Sequence, residues 1–195
     1  MRITDGAFVL YGFAVERTEA LCAAVQSIVE QAPFRHMTVP GGHSMSVAMT
    51  NCGRAGWVSD RRGYRYAASD PATGAPWPQM PECFVKIAAG AAAQAGYVTF
   101  LPDVCLINHY QPGARMALHQ DRDERDFTAP IVSVSLGAPA TFLFGGLSRK
   151  DKPLRIPLAH GDVVVWGGPA RLAYHGVAPL KQGADRINLT FRKAL

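Results

Sequence analysis

The sequence predicts an α+β chain: two helices in its first half, and a second half that is a β-sandwich or jelly roll. Three observations predict it. Apolar residues recur at helical spacing in two windows before residue 96. From Val104 onward the period switches to two and stays there through eight short segments, separated by Gly and Pro turns. A chain of 195 residues that is 48% hydrophobic and 18% charged is the right size for one domain with a sizeable core, so 1–195 is read as a single domain.

In chain order, residues 6–13 read as a short strand. From Thr18 to Gln31, Leu21, Val25, Ile28 and Val29 fall on one helical face, with Thr18 as the expected N-cap. Pro33 stops that helix, and Pro40-Gly41-Gly42 turns the chain. Residues 44–77 are the least regular stretch, with a strand over Met45–Thr50 and turn signals at Asp70-Pro71 and Pro76-Trp77-Pro78. The alanine-rich window 82–95 places Phe84, Ile87, Ala88 and Ala91 on one face of a second helix ending at Gly96. The expected strands are 104–110, 114–119, 131–136, 140–144, 155–158, 162–166, 171–177 and 186–192. No internal repeat or low-complexity tract appears.

The net charge of +5 tilts the choice of partner toward polyanions without fixing one. No apolar run approaches the roughly 18–20 residues that span a bilayer. The first residues carry no signal-like apolar segment, so a cytoplasmic location is expected. Cys22, Cys52, Cys83 and Cys105 are scattered without a C-x-x-C pair and are expected to be reduced.

The chemistry concentrates in Leu118–Glu124. On a strand, His119 and Asp121 would project to one face and could bind a metal; a solvated polar turn is the competing reading. Arg122 and Glu124, on the other face, read as surface charge. His175 is a candidate third ligand, whereas His160 reads as a turn residue, and His36, His43 and His109 have no carboxylate at strand spacing. Two imidazoles and one carboxylate make a facial set with open positions, which suits non-haem Fe(II); catalytic zinc stays open. In the last strand Arg186, Asn188, Thr190 and Arg192 share one face, and Ile187, Leu189 and Phe191 the other. If the polar face is not simply exposed, a buried guanidinium there needs an anionic partner. Asn108 and Tyr110 share a face of strand 104–110 and could serve the same ligand. In 60–66, basic residues alternate with Tyr64 and Tyr66, which suits either a single-stranded nucleic acid or a solvated hairpin.

Together Asn108-x-Tyr110, His119-x-Asp121, His175 and Arg186-x-Asn188-x-Thr190-x-Arg192 resemble the AlkB family of Fe(II)/2-oxoglutarate dioxygenases. So do the strings Met45–Gly53, 130–137, 160–168 and 174–176, and the resemblance runs from about residue 8 to the end. It implies a double-stranded β-helix (jelly roll) core over about 100–195, with N-terminal helices and a nucleotide-recognition lid over about 40–80. It further implies His119, Asp121 and His175 as iron ligands, with Arg192 on the far carboxylate of 2-oxoglutarate. Asn108, Tyr110, Arg186 and Asn188 would complete that pocket. Trp57 would stack on a methylated base, with Tyr64 near its phosphate and Asp123, Arg149 and Met49 also on the substrate side. Histidine at 109 departs from the arginine expected in the nearest relatives, on a face turned away from the iron.

The activity so implied is oxidative demethylation of 1-methyladenine- and 3-methylcytosine-type bases, using O2 and releasing formaldehyde, succinate and CO2. The implied partner is methylated single-stranded DNA, with RNA or a duplex with a flipped base also admitted, no membrane, and a monomeric enzyme. Two other readings stand beside it. One is a dioxygenase of the same core acting on protein or a small molecule; the other is a basic jelly roll that binds nucleic acid without catalysis.

Overall fold

The computed structural model describes residues 1–195. β1 (Arg2–Thr4) and β2 (Ala7–Leu10) precede α1 (Thr18–Gln31), and β3 (Arg35–Thr38) and β4 (Ser44–Gly53) follow it. β5 (Gly56–Asp60) and β6 (Gly63–Ala67) form a hairpin ahead of α2 (Glu82–Gln94). The second half supplies β7 (Val104–Tyr110), β8 (Met116–His119), β9 (Ile131–Gly137), β10 (Ala140–Phe144), β11 (Leu154–Leu158), β12 (Val163–Trp166), β13 (His175–Val177) and β14 (Arg186–Arg192).

These strands form an eight-stranded sheet in the order β1-β2-β12-β9-β14-β7-β4-β3 and a four-stranded sheet in the order β11-β10-β13-β8. Period-two alternation builds both layers of core. From the large sheet, Cys105, Val132, Val134, Leu189 and Phe191 face outward onto α1 and α2. Phe84 of α2 meets Phe191 edge-on, with centroids 5.6 Å apart. On the inner face, Leu106, Ile131, Val164 and Trp166 meet Phe142, Phe144, Ile156 and Leu158 of the small sheet. The result is the expected jelly-roll sandwich, with its helices on one outer face and none long and apolar enough to cross a membrane.

All eight strands expected after residue 104 form, with edges moved by a few residues. The strand expected over 171–177 shortens to β13, because Gly168–Ala170 forms a 3-10 turn and the chain rejoins the sheet only at His175. Thr18 is not an N-cap. It lies inside α1, and its hydroxyl donates to the Val15 carbonyl of the preceding 3-10 turn. The stretch 44–77 is more regular than its composition suggests. β4 runs through Asn51-Cys52-Gly53 because β7 pairs with it residue for residue there, and that pairing overrides local turn preference.

Candidate active site

β8 and β13 are antiparallel neighbours in which His119 and His175 stand directly opposite. This register, rather than sequence spacing, brings the two imidazoles together, with ring centroids 4.4 Å apart. Gly176 permits it: a Cβ there would lie 2.6 Å from the Met116 carbonyl oxygen of β8, so only glycine lets the strands approach this closely. β8 ends at His119, and Asp121 lies beyond the strand. Its Oδ1 is 3.6 Å from His119 Nε2 and 3.8 Å from His175 Nε2. The three ligand atoms all lie within 4.8 Å of one another.

Each imidazole is oriented from behind. His119 Nδ1 lies 2.8 Å from the Ala117 carbonyl and His175 Nδ1 lies 3.0 Å from that of Ala173. A carbonyl only accepts, so each Nδ1 carries the proton and each Nε2 keeps its lone pair for a metal. Burial, reinforced by the neighbouring His119 imidazole, pulls the His175 pKa down to about 4, so that its ring is neutral at physiological pH. Burial pushes the Asp121 carboxyl up, but Arg192 and the two imidazoles more than offset this and hold it well below the usual carboxylate range.

The polar face of β14 points inward. Arg186, Asn188, Thr190 and Arg192 are all buried between the sheets, which settles the alternative left open by the sequence. The face is partly self-satisfied. Asn188 Nδ2 donates to Ser133 Oγ at 2.7 Å, and Thr190 donates to Asn188 Oδ1 at 2.9 Å, as does Asn108 Nδ2 at 3.2 Å. Arg192 donates from Nε and Nη2 to Asp121 Oδ2 at 2.8 and 2.7 Å. Arg186 lies 5.0 Å from the Tyr110 ring centroid and donates to Ser135 Oγ at 3.1 Å.

The arginines are not saturated. Nη1 of Arg192, and both Nε and Nη1 of Arg186, are buried without a partner. Buried guanidinium N–H groups are strongly disfavoured unless an anion meets them, and these line one cavity with two of the three metal-site residues, His119 and His175. A dianionic 2-oxo acid fits that cavity, with one end toward the metal and the other toward the second arginine. Arg192 is paired with a metal-site carboxylate and so stands at the triad end of the cavity, while Arg186 lies beside Tyr110.

Glu124 and Arg122 were both expected to be surface charge. Arg122 is exposed, but Glu124 is buried. Its Oε1 accepts the Tyr66 hydroxyl at 2.6 Å and lies 3.3 Å from Arg192 Nε, while its Oε2 accepts Arg171 Nη2 at 3.1 Å. The chain leaves β8 after His119, so strand alternation no longer sorts the faces and Glu124 turns inward. Sequence reasoning missed Arg171 and the inward serines, and it placed Tyr66 only in the basic-aromatic alternation of 60–66; Ser133 and Ser135 carry a signal as period-two hydroxyls in a hydrophobic strand.

An open cleft of about 560 Å³ adjoins the triad, lined in part by Met49, Trp57, Tyr64, Asp123 and Arg149. Trp57 donates its indole N–H to Asp123 Oδ2 at 2.7 Å and stacks on Tyr64 with centroids 5.6 Å apart and planes 13° apart. Asn51 fixes this arrangement: its amide accepts from Trp57 N–H at 2.9 Å and donates to the Trp57 carbonyl at 3.0 Å, as a further strand would. Arg149 donates to the Leu118 carbonyl at 2.8 Å, one residue before the first ligand. His109 faces away from the metal and pairs with Asp185 at 2.7 Å, and His160 accepts from the Gly137 N–H in a turn.

A jelly roll with a His-Asp-His set beside an arginine-lined anion pocket defines a non-haem iron oxygenase that uses a 2-oxo acid. The 2OG-Fe(II) oxygenase superfamily model matches residues 6–192, and the chain belongs to that superfamily, within its AlkB group of dioxygenases. It is 55% identical to "Alpha-ketoglutarate-dependent dioxygenase AlkB" of Escherichia coli, over 98% of this chain and 92% of that one. The Salmonella typhimurium protein of the same name is 54% identical over the same shares. The solved structure of OsALKBH1 superposes with a TM-score of 0.85 at 29% identity, covering 98% of this chain and 100% of the other. The chain is thus an Fe(II)- and 2-oxoglutarate-dependent dioxygenase, and the non-catalytic reading falls away.

Proposed function

We propose that the chain removes methyl groups from ring nitrogens of nucleic-acid bases, of the 1-methyladenine and 3-methylcytosine type, in single-stranded DNA and in RNA. One observation carries the proposal: the Trp57 ring and the Asp123 carboxylate are hydrogen-bonded to each other in the cleft that also reaches His119 and Asp121. An aromatic face joined to a carboxylate suits a flat cation, and N-methylation makes these bases cationic. Relatives named DNA N(6)-methyladenine demethylase ALKBH1C, from Arabidopsis thaliana, and tRNA demethylase abh1, from Schizosaccharomyces pombe, support a nucleic-acid substrate.

In this reading His119, Asp121 and His175 hold iron, and Arg192 with Asn108 meets the near end of 2-oxoglutarate. Arg186 with Tyr110 and Asn188 meets the far end. Bound iron, with 2-oxoglutarate and O2, supplies the oxidising power that places one oxygen atom on the N-methyl carbon, while the co-substrate leaves as succinate and CO2. The hydroxymethyl group then departs as formaldehyde: the C–N electron pair returns to the ring nitrogen, which loses its positive charge, and the hydroxyl proton is released to water. The protein's share is to orient the base and exclude water. Trp57 and Tyr64 provide the stacking face, Asp123 the countercharge, and Arg149 with the surrounding positive charge attracts the strand. A monomeric enzyme in the cytoplasm goes with this reading on sequence grounds.

The test is formaldehyde and succinate release, in equal amounts, across methylated and unmethylated DNA and RNA oligonucleotides. Succinate release that no methylated oligonucleotide stimulates would point instead to a protein or small-molecule substrate.

A further inference from the structure

The lid hairpin and the co-substrate pocket share one buried connection. Trp57 and Tyr66 are directly opposite across β5 and β6, so their side chains leave the same face of the hairpin. Trp57 turns to the base cleft and Asp123; Tyr66 reaches inward and donates to Glu124 at 2.6 Å. Glu124 is 5% exposed, in contact with Arg192 on one oxygen and Arg171 on the other. Arg171 in turn donates to the backbone carbonyls of Asp121 at 3.1 Å and Ala129 at 3.0 Å. The Nε side of Arg192 is therefore gripped by two carboxylates, Asp121 and Glu124, and Nη1 is its one nitrogen left free in the cavity.

We propose that Glu124 and Tyr66 are positioning residues for 2-oxoglutarate: they lock the Arg192 guanidinium so that its free Nη1 points at the co-substrate. The placement of the lid is thereby read at the co-substrate pocket. Neither residue need touch iron or co-substrate. Their effect passes through the rotamer of Arg192, whose side chain otherwise has several torsions to fix on binding. The inference rests on the co-substrate pocket assigned above, but not on the identity of the base.

Positioning and simple electrostatics predict opposite signs for Glu124→Gln. Removing a negative charge beside an anion site should by itself tighten 2-oxoglutarate. Loosening Arg192 should weaken it. The measurement is calorimetric titration of the Fe(II)-loaded protein with 2-oxoglutarate, with dioxygen excluded so that nothing turns over. Positioning predicts a Kd raised by about three- to tenfold in Tyr66→Phe, which keeps ring and charge and loses one hydrogen bond to a carboxylate, and raised at least as far in Glu124→Gln. In steady state, Tyr66→Phe should raise the KM for 2-oxoglutarate by a larger factor than it lowers kcat. An unchanged or lower Kd in Tyr66→Phe overturns the proposal, as does tighter binding in Glu124→Gln. If Glu124→Gln does not fold, Tyr66→Phe decides alone. Because no nucleic acid is present, failure here leaves the demethylase reading standing, and its own failure would show as absent formaldehyde.

Discussion

Arg192 and Asp121 form a single buried ion pair, with Nε and Nη2 of the arginine 2.8 and 2.7 Å from the same carboxylate oxygen. The other oxygen of Asp121 is thereby left to face the two imidazoles. One residue thus belongs to the metal centre and to the co-substrate pocket at once, and neither charge would be tolerable in this interior without the other. Replacing Arg192 with Met should strand Asp121 as an uncompensated buried carboxylate and leave Glu124 with Arg171 as its only cation. The expected loss is about 3–5 kcal/mol of stability, read from denaturant unfolding of the metal-free protein.

The triad predicts metal-dependent stability. Chelation of Fe(II) should lower the melting temperature, because metal at 100 times its Kd contributes about 2.7 kcal/mol to the folded state. His119→Ala, Asp121→Ala and His175→Ala should each copurify with little iron, and chelator should no longer shift their melting temperatures. Equal iron content in wild type and His175→Ala would remove that residue from the ligand set.

Gly176 is where strand geometry and chemistry meet. A methyl group there would press on the Met116 carbonyl and push β8 from β13, separating His119 from His175. Gly176→Ala should cost about 1–3 kcal/mol of stability, as overpacking does, and should weaken iron binding although no ligand has changed. Iron titration followed by thermal melting checks both.

The lid predicts a graded series. Trp57→Phe keeps a stacking face and loses the hydrogen bond to Asp123; Trp57→Ala loses both. Stacking is worth about 1–3 kcal/mol per base, so Trp57→Ala should raise the KM for a methylated oligonucleotide by about tenfold or more, with Trp57→Phe between it and wild type. Asn51→Leu removes both amide contacts to the Trp57 backbone and should act in the same direction without touching the cleft. The KM for 2-oxoglutarate in the Trp57 variants should move far less.

Much of this was legible in the sequence, for identifiable reasons. The strands after Val104 follow from alternation, because one face of each packs on a core while polar turns interrupt the run. The candidate ligands His119, Asp121 and His175 could be picked out through H-x-D spacing together with the family resemblance, because six histidines and fifteen acidic residues leave composition alone undecided. What sets their geometry, the register of β8 on β13, has no local signal at all. The inward face of β14 was ambiguous because an R-x-N-x-T-x-R pattern reads the same whether water or an anion meets it. Glu124 was misjudged because the alternation rule was extended past the end of a strand. Asn51 lies just past the strand expected over Met45–Thr50, and it acts as a backbone mimic from inside a longer one.

The central claim joins metal, co-substrate and base in one reaction, and a coupled measurement tests it most directly. Purified protein supplied with Fe(II), 2-oxoglutarate and O2 should convert an oligonucleotide bearing 1-methyladenine to the unmethylated form. Formaldehyde and succinate should appear one for one with the methyl groups lost, and Asp121→Ala should abolish all three signals. Demethylation that persists in Asp121→Ala, or succinate formed at the same rate with no loss of methyl groups, would contradict the account.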